Sequence, residues 1–191
     1  MRADYLENEV YNYIFGAMKY ENALILRVCL ETGLRVGDVC ALKREALQGQ
    51  KIYFKAQKTG KNGSVRISTD LANRIRKEGG KWLFPSPHNL SKHRTRQAVW
   101  RDMKVACARL GISENASPHS ARKTFAVDLF HEKGLPAVQK ALQHDRPETT
   151  KIYAFSDKNV ENYVENARNF DFEGFAELVA EKVYEKIKGI A

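Results

Sequence analysis

Apolar positions recur at helical spacing at both ends of the chain and at strand spacing in a short central stretch. Tyr5, Leu6, Val10, Tyr13, Ile14 and Met18 fall three or four apart, which predicts an amphipathic helix over 4–19. ALILRVCLE, within 22–31, is apolar nearly all round and predicts a buried helix. Thr32-Gly33 ends it, with Gly33 suited to the left-handed position after a helix. A short third helix is expected over 36–42, which leaves Arg35 in the tight connection between two helices. The period then changes. IYFKA and SVRIS alternate around the turn residues KTGKNG, so 51–68 reads as a β-hairpin with Lys58 and Lys61 at or near its tip.

Beyond the hairpin the helical period returns. Thr69 or Asp70 should cap a helix to about Lys77. Gly79-Gly80 breaks it, and WLFP reads as a short apolar strand or anchor. Ser91 is the expected cap of a long basic helix over 92–110, and Ser117-Pro118 opens another that closes at Gly134. Shorter helices follow over 136–142 and 149–155, and two amphipathic ones over 159–168 and 172–188. The fold class expected is mainly α with a small antiparallel β-hairpin or sheet.

Composition sharpens this picture in two ways. Hydrophobic residues make up 43% of 191 residues, enough for one domain with a real core, and no apolar run reaches membrane-spanning length. MRADYLENEV lacks the apolar region of a signal peptide, so a cytoplasmic location is expected. The net charge is +9, and it is unevenly spread: residues 156–191 carry −3, leaving +12 on residues 1–155. A basic body with an acidic tail suggests a polyanion as partner. The cysteines Cys29, Cys40 and Cys107 are isolated, odd in number and set among apolar residues; they read as buried small side chains, not as a disulfide framework or zinc site.

The candidate chemistry centres on QHDRPETTKIYAF, 143–155, which places His144 nine residues before Tyr153. A phenol has a pKa near 10 and attacks only where positive charge stabilises the phenolate and the anion it meets. Arg35, Lys58 and the pair His119/Arg122 can supply that charge, the last two sharing one helix face at a spacing of three. Each alone would pass for a loop, turn or surface residue. In order they read TGLRVGDV, a hairpin with KTG, HSAR, LQH and then the tyrosine.

This series resembles the catalytic domain of the tyrosine recombinases, the phage integrase family, over residues 1–155. The resemblance implies a site-specific DNA recombinase or integrase. Tyr153 would be the nucleophile that becomes joined to a DNA 3′-phosphate, Arg35 and Arg122 would clamp the phosphate, and Lys58 would be the general acid. Lys61 is the fallback if the hairpin register differs. His119 would accept the phenolic proton or bond a phosphate oxygen, and His144 would bond another. Asp38 would orient the site from behind, or merely satisfy a helix N-terminus. The family usually has Leu-Gly-His where this chain has Leu-Gln-His, at Gln143.

No metal or other cofactor is expected, since arginines and a lysine replace the charge of divalent ions. Double-stranded DNA is the expected partner, with self-association as a dimer or tetramer on it. Lys92, Arg94, Arg96, Arg101 and Lys104 on the basic helix are the candidate DNA contacts, against the plainer reading of a solvated face. Residues 156–191 form a helical tail that packs in cis or docks on a neighbour. The N-terminal core-binding domain of most members has no counterpart here, so the chain reads either as an excised piece or as a single-domain recombinase of the fimbrial-invertase kind. A type IB topoisomerase-like enzyme and a non-catalytic DNA-binding relative are the competing readings.

Overall fold

The computed structural model describes residues 3–76 and 80–143. His144 and Tyr153, the expected helices beyond 144 and the division at 155/156 lie outside the described residues.

The central element is α2 (Tyr20–Thr32), in which Ala23, Leu24, Ile25, Leu26, Val28 and Cys29 are all buried. Around it pack α1 (Asn8–Ala17), α3 (Val36–Cys40), α4 (Thr69–Arg76), α5 (Arg96–Arg109) and α6 (Pro118–Leu142). A helix that is apolar over most of its surface is stable only when largely surrounded, and α2 leaves chiefly Tyr20, Arg27 and Glu31 to solvent. β1 (Leu47–Gln48), β2 (Lys51–Lys55) and β3 (Asn62–Arg66) make an antiparallel sheet in that order, with Ile52 facing Val65 across the hairpin. β1 is too short to leave a period in the sequence. A second ribbon pairs β4 (Pro85–Ser86) with β5 (Asn89–His93). The fold class therefore matches the expectation. Among the described residues no helix is long and apolar enough to cross a membrane. Cys29, Cys40 and Cys107 are all free thiols and buried.

The boundaries differ from the expected ones where a cap competes. Helix α1 starts at Asn8 rather than at residue 4. Thr124 bonds the backbone of Leu6, and the Asp4 carboxylate accepts the Asn115 N–H, which holds this segment in an extended path. The cap of α4 is Ser68, whose Oγ accepts the Leu71 N–H at 3.3 Å. Helix α5 starts at Arg96, not 92, because Thr95 is its cap, accepting the Ala98 N–H at 3.2 Å. Ser91 sits instead on β5, where Asn89 Oδ1 accepts its N–H. Trp82 is the expected anchor, bridging to Lys43 and donating from Nε1 to the Ser91 carbonyl.

Helix α6 opens at Ser117 with a reciprocal box to Ser120 and with Pro118 in its first turn. It breaks at Gly134 (φ 73°, ψ 178°). The break turns the last stretch back, so that Val138 and Leu142 join Ala126 and Val127 in a small second core. The helix ends on Gln143, in the left-handed conformation at φ 53°, ψ 40°. Among the described residues it is the one non-glycine with positive φ, a conformation that costs an L-residue about 1–2 kcal/mol.

Candidate active site

Gly33 sets the site up. At φ 68° it closes α2, and its own N–H returns to the Cys29 carbonyl at 2.9 Å. A Cβ there would collide with Phe125 and Leu142, so glycine is required by space as well as by conformation. The tight turn delivers half-buried Arg35 to the start of α3, at the mouth of a cleft of about 430 Å³. Arg35, Lys58, Arg96, His119 and Arg122 line this cleft, with Asp38 and Gln57.

Arg122 is the best anchored of these groups. It is only 4% exposed, and its guanidinium donates to the carbonyls of Gly33 and Leu142, the latter at 3.1 Å. Those acceptors lie on the turn that carries Arg35 and on the residue before Gln143. One planar group with five donors thus ties the α2–α3 turn to the end of α6.

His119, three residues earlier, keeps an exposed face at the cleft. Partial loss of hydration, and then the charges of Arg122, Arg35 and Lys123, hold its pKa below the ordinary 6.5. It is therefore neutral at pH 7 and can accept a proton.

Lys58 is exposed on the loop between β2 and β3. Buried Asp38 accepts the Gln57 N–H at 3.0 Å, and Gln57 Nε2 donates to the Gly37 carbonyl at 3.3 Å. The Asp38 carboxylate thus holds the backbone of the residue next to Lys58. Lys61 lies elsewhere, in a shallow depression with Asn62, Pro136, Gln139, Lys140 and Gln143. Lys58, not Lys61, shares the cleft with the arginines. Sequence reasoning passed over Gln57, since a glutamine before a turn lysine carries no signal of its own.

The basic residues of 92–104 do not act as one face. Lys92 is exposed on β5, and Arg101 is exposed on α5. Lys104 is half-buried and donates to Asn115 Oδ1 at 3.2 Å. Arg96 opens α5 and lines the same cleft as Arg35, Lys58, His119 and Arg122. Arg94 departs from the expectation altogether. It precedes the helix and is 7% exposed, donating to Asn22 Oδ1 at 3.2 Å and pairing with Glu21 at 3.6 Å. An arginine committed to α2 in this way is a structural strut and not a phosphate contact. Its backbone explains the burial: the Arg94 N–H is bonded to the Phe84 carbonyl at 2.8 Å, so the side chain starts from inside.

Four cations and one neutral imidazole around a single buried acid define an anion site. Among the described residues no group of three His, Cys, Asp or Glu side chains could hold a metal ion.

The model of the phage integrase family matches residues 4–160, and the chain belongs to that family. It is 30% identical to the integrase of Escherichia phage P2 over 151 residues, 78% of this chain and 42% of that protein. It is 29% identical to tyrosine recombinase XerA of Pyrococcus horikoshii over 174 residues, 85% of this chain and 60% of that one. The chain thus spans about half the length of the curated relatives it matches. Among solved structures, XerA recombinase superposes with a TM-score of 0.72 at 21% identity, covering 87% of this chain and 64% of that chain. The catalytic domain of bacteriophage HP1 integrase gives 0.64 at 24% identity, covering 88% and 98%. A lambda integrase dimer bound to a COC′ core site gives 0.69 at 21%, covering 80% and 48%.

Proposed function

We propose that this chain carries the catalytic domain of a site-specific DNA recombinase that cuts and rejoins strands through a 3′-phosphotyrosine. The observation that carries the proposal is the meeting of Arg35, Lys58, His119 and Arg122 in one cleft. In this reading the scissile phosphate of duplex DNA sits between Arg35 and Arg122. Attack by Tyr153 Oη forms the phosphotyrosine bond and breaks the bond to the 5′-oxygen. The phenolic proton passes to His119 or to water, and Lys58 protonates the departing oxygen. His144 bonds a further phosphate oxygen. The two guanidiniums act most strongly on the extra charge of the transition state, and one such donor is worth about 10²–10³ in rate. The phosphotyrosine conserves the energy of the broken bond, so rejoining needs no nucleotide cofactor.

DNA contacts beyond the scissile phosphate are proposed for Arg96, Lys92, Arg101 and Lys104. Self-association on DNA is proposed as well, supported by structural neighbours described as a dimer on a core site and a tetramer on a Holliday junction. Deleting residues from about 172 onward and assaying DNA-dependent oligomers tests whether the tail serves that assembly or packs in cis.

The main test is a duplex nicked beside the cleavage position, which traps the covalent adduct. The expected result is an adduct formed by the natural chain and lost in Tyr153→Phe. No adduct on any family-type core site would favour a non-catalytic DNA binder. Relaxation of supercoils without exchange between two sites would favour the topoisomerase-like reading.

A further inference from the structure

We infer that Gln143 is a positioning residue, which ties the end of α6 to strand β3 and thereby holds the hairpin of Lys58 in place. The inference rests on the reading of Lys58 as general acid.

Two oddities of the structure face each other. Gln143 occupies a left-handed conformation that glycine would adopt without strain. Gly63, in the middle of β3, does not have positive φ, so its backbone does not call for glycine. What Gly63 provides is room: a Cβ there would stand 2.5 Å from Gln143 Nε2 and 2.7 Å from Phe54 Cζ. The strained residue on one element therefore fills the space left by the missing side chain on the other. Phe54, the cross-strand partner of Gly63, closes the same spot from β2.

The contact has consequences because of what lies on each side. On the β2 side the loop is already held, through Gln57, by Asp38 and Gly37. Gln143 secures the β3 side, next to Asn62 and Lys61, with which it lines a common depression. It also follows Leu142, whose carbonyl takes an Arg122 N–H, and it precedes His144. The glutamine thus connects the backbone that anchors the arginine to the loop that presents the lysine. The β2–β3 ladder and the Ala56 N–H bond to the Lys61 carbonyl already close the hairpin on itself; Gln143 sets where the closed hairpin sits against the end of α6, and so how near the ammonium comes to the leaving oxygen. A displacement of about 1 Å at a reacting group can cost about 10²-fold.

The test separates positioning from folding. The full chain is assayed for single-turnover cleavage of the nicked duplex, with either the natural phosphodiester or a 5′-bridging phosphorothiolate at the cut. A thiolate leaves without a proton, so the sulfur substrate bypasses a general acid. Lys58→Ala is expected to be slow on oxygen and restored on sulfur. Gln143→Gly is expected to lose about ten- to a hundredfold on oxygen and little on sulfur, while its Tm stays equal or rises because backbone strain is relieved. Gly63→Ala should show the same oxygen-specific loss. Restoration of Lys58→Ala but not of Gln143→Gly overturns the inference alone, as does a Gln143→Gly rate equal to that of the natural chain. Failure of sulfur to restore Lys58→Ala overturns the general-acid reading, and the inference with it.

Discussion

Arg94 and Arg96 stand two residues apart and should respond in opposite ways when neutralised. Arg94→Met keeps an unbranched apolar stem in the same channel but removes the guanidinium. The side chain of Arg94 is 8% exposed, and that of Glu21 is 35% exposed. Glu21 can rehydrate after the change, so its share of the pair is small once solvent screening is allowed for, about 0–1 kcal/mol. Asn22 is 2% exposed and cannot rehydrate. Its Oδ1 loses the Arg94 N–H, and a buried acceptor without a partner costs about 1–3 kcal/mol. The Asn22 amide still donates to Asp102 at 2.7 Å, so the residue itself stays in place. Against this, the change removes Arg94 Nε, which is buried without a partner, so the net loss is about 1–2 kcal/mol, or about 2–8 °C in Tm for a chain of this size. Arg96→Ala removes an exposed cation that lines the cleft and leaves no buried group behind. It should leave Tm within about 2 °C while lowering the slope of log K against log salt by about 0.9, one phosphate contact. Paired measurements settle it: thermal melts, and DNA binding titrated over salt. An unchanged Tm for Arg94→Met together with a flatter salt slope would refute the assignment of Arg94 as a strut.

Gly33→Ala puts a Cβ against Phe125 and Leu142 at φ 68°, so a loss of about 3 kcal/mol or more, with cleavage abolished, should appear in a urea melt and adduct assay. His119 should titrate below 6.5 in the folded protein, and Lys123→Gln should raise its pKa, as followed by the imidazole C–H resonance. The folded pKa is depressed, so the stability contributed by keeping His119 neutral is present above about 6.5 and is lost as pH falls through the folded value. Burial pushes the Cys40 thiol up to about 12 and Cys29 higher than its ordinary range, so neither should react with iodoacetamide at pH 8 until the chain is unfolded, as read by mass spectrometry.

Much of this protein was legible before any coordinates. The order of TGLR, the hairpin lysine, HSAR and LQH identifies the family, and Gly33 and Ser117-Pro118 mark real helix ends. These signals are local. A cap, a turn or an i,i+3 pair involves residues within one turn of chain, so their chemistry can be read in the letters. Ser91 and Thr95 show the limit even there. Both could cap α5, and the choice went to Thr95 because Ser91 is held on the β4–β5 ribbon, where Trp82 Nε1 donates to its carbonyl.

Tertiary structure decided what depends on partners far away in sequence. The letters of Arg94 and Arg96 are identical, but the backbone bond from Arg94 to Phe84 turns one inward to Asn22, while the other starts a helix at the cleft. Lys58 is preferred to Lys61 only by resemblance until the fold puts Lys58 in the cleft with the arginines and Lys61 in a separate depression. Gln143 looks like a flaw in a glycine position until Gly63 is seen opposite it. Periodicity and caps report the free energy of a single segment; burial, charge pairing and the fit of one side chain into another's missing volume are sums over segments, and they exist only once the chain has closed on itself.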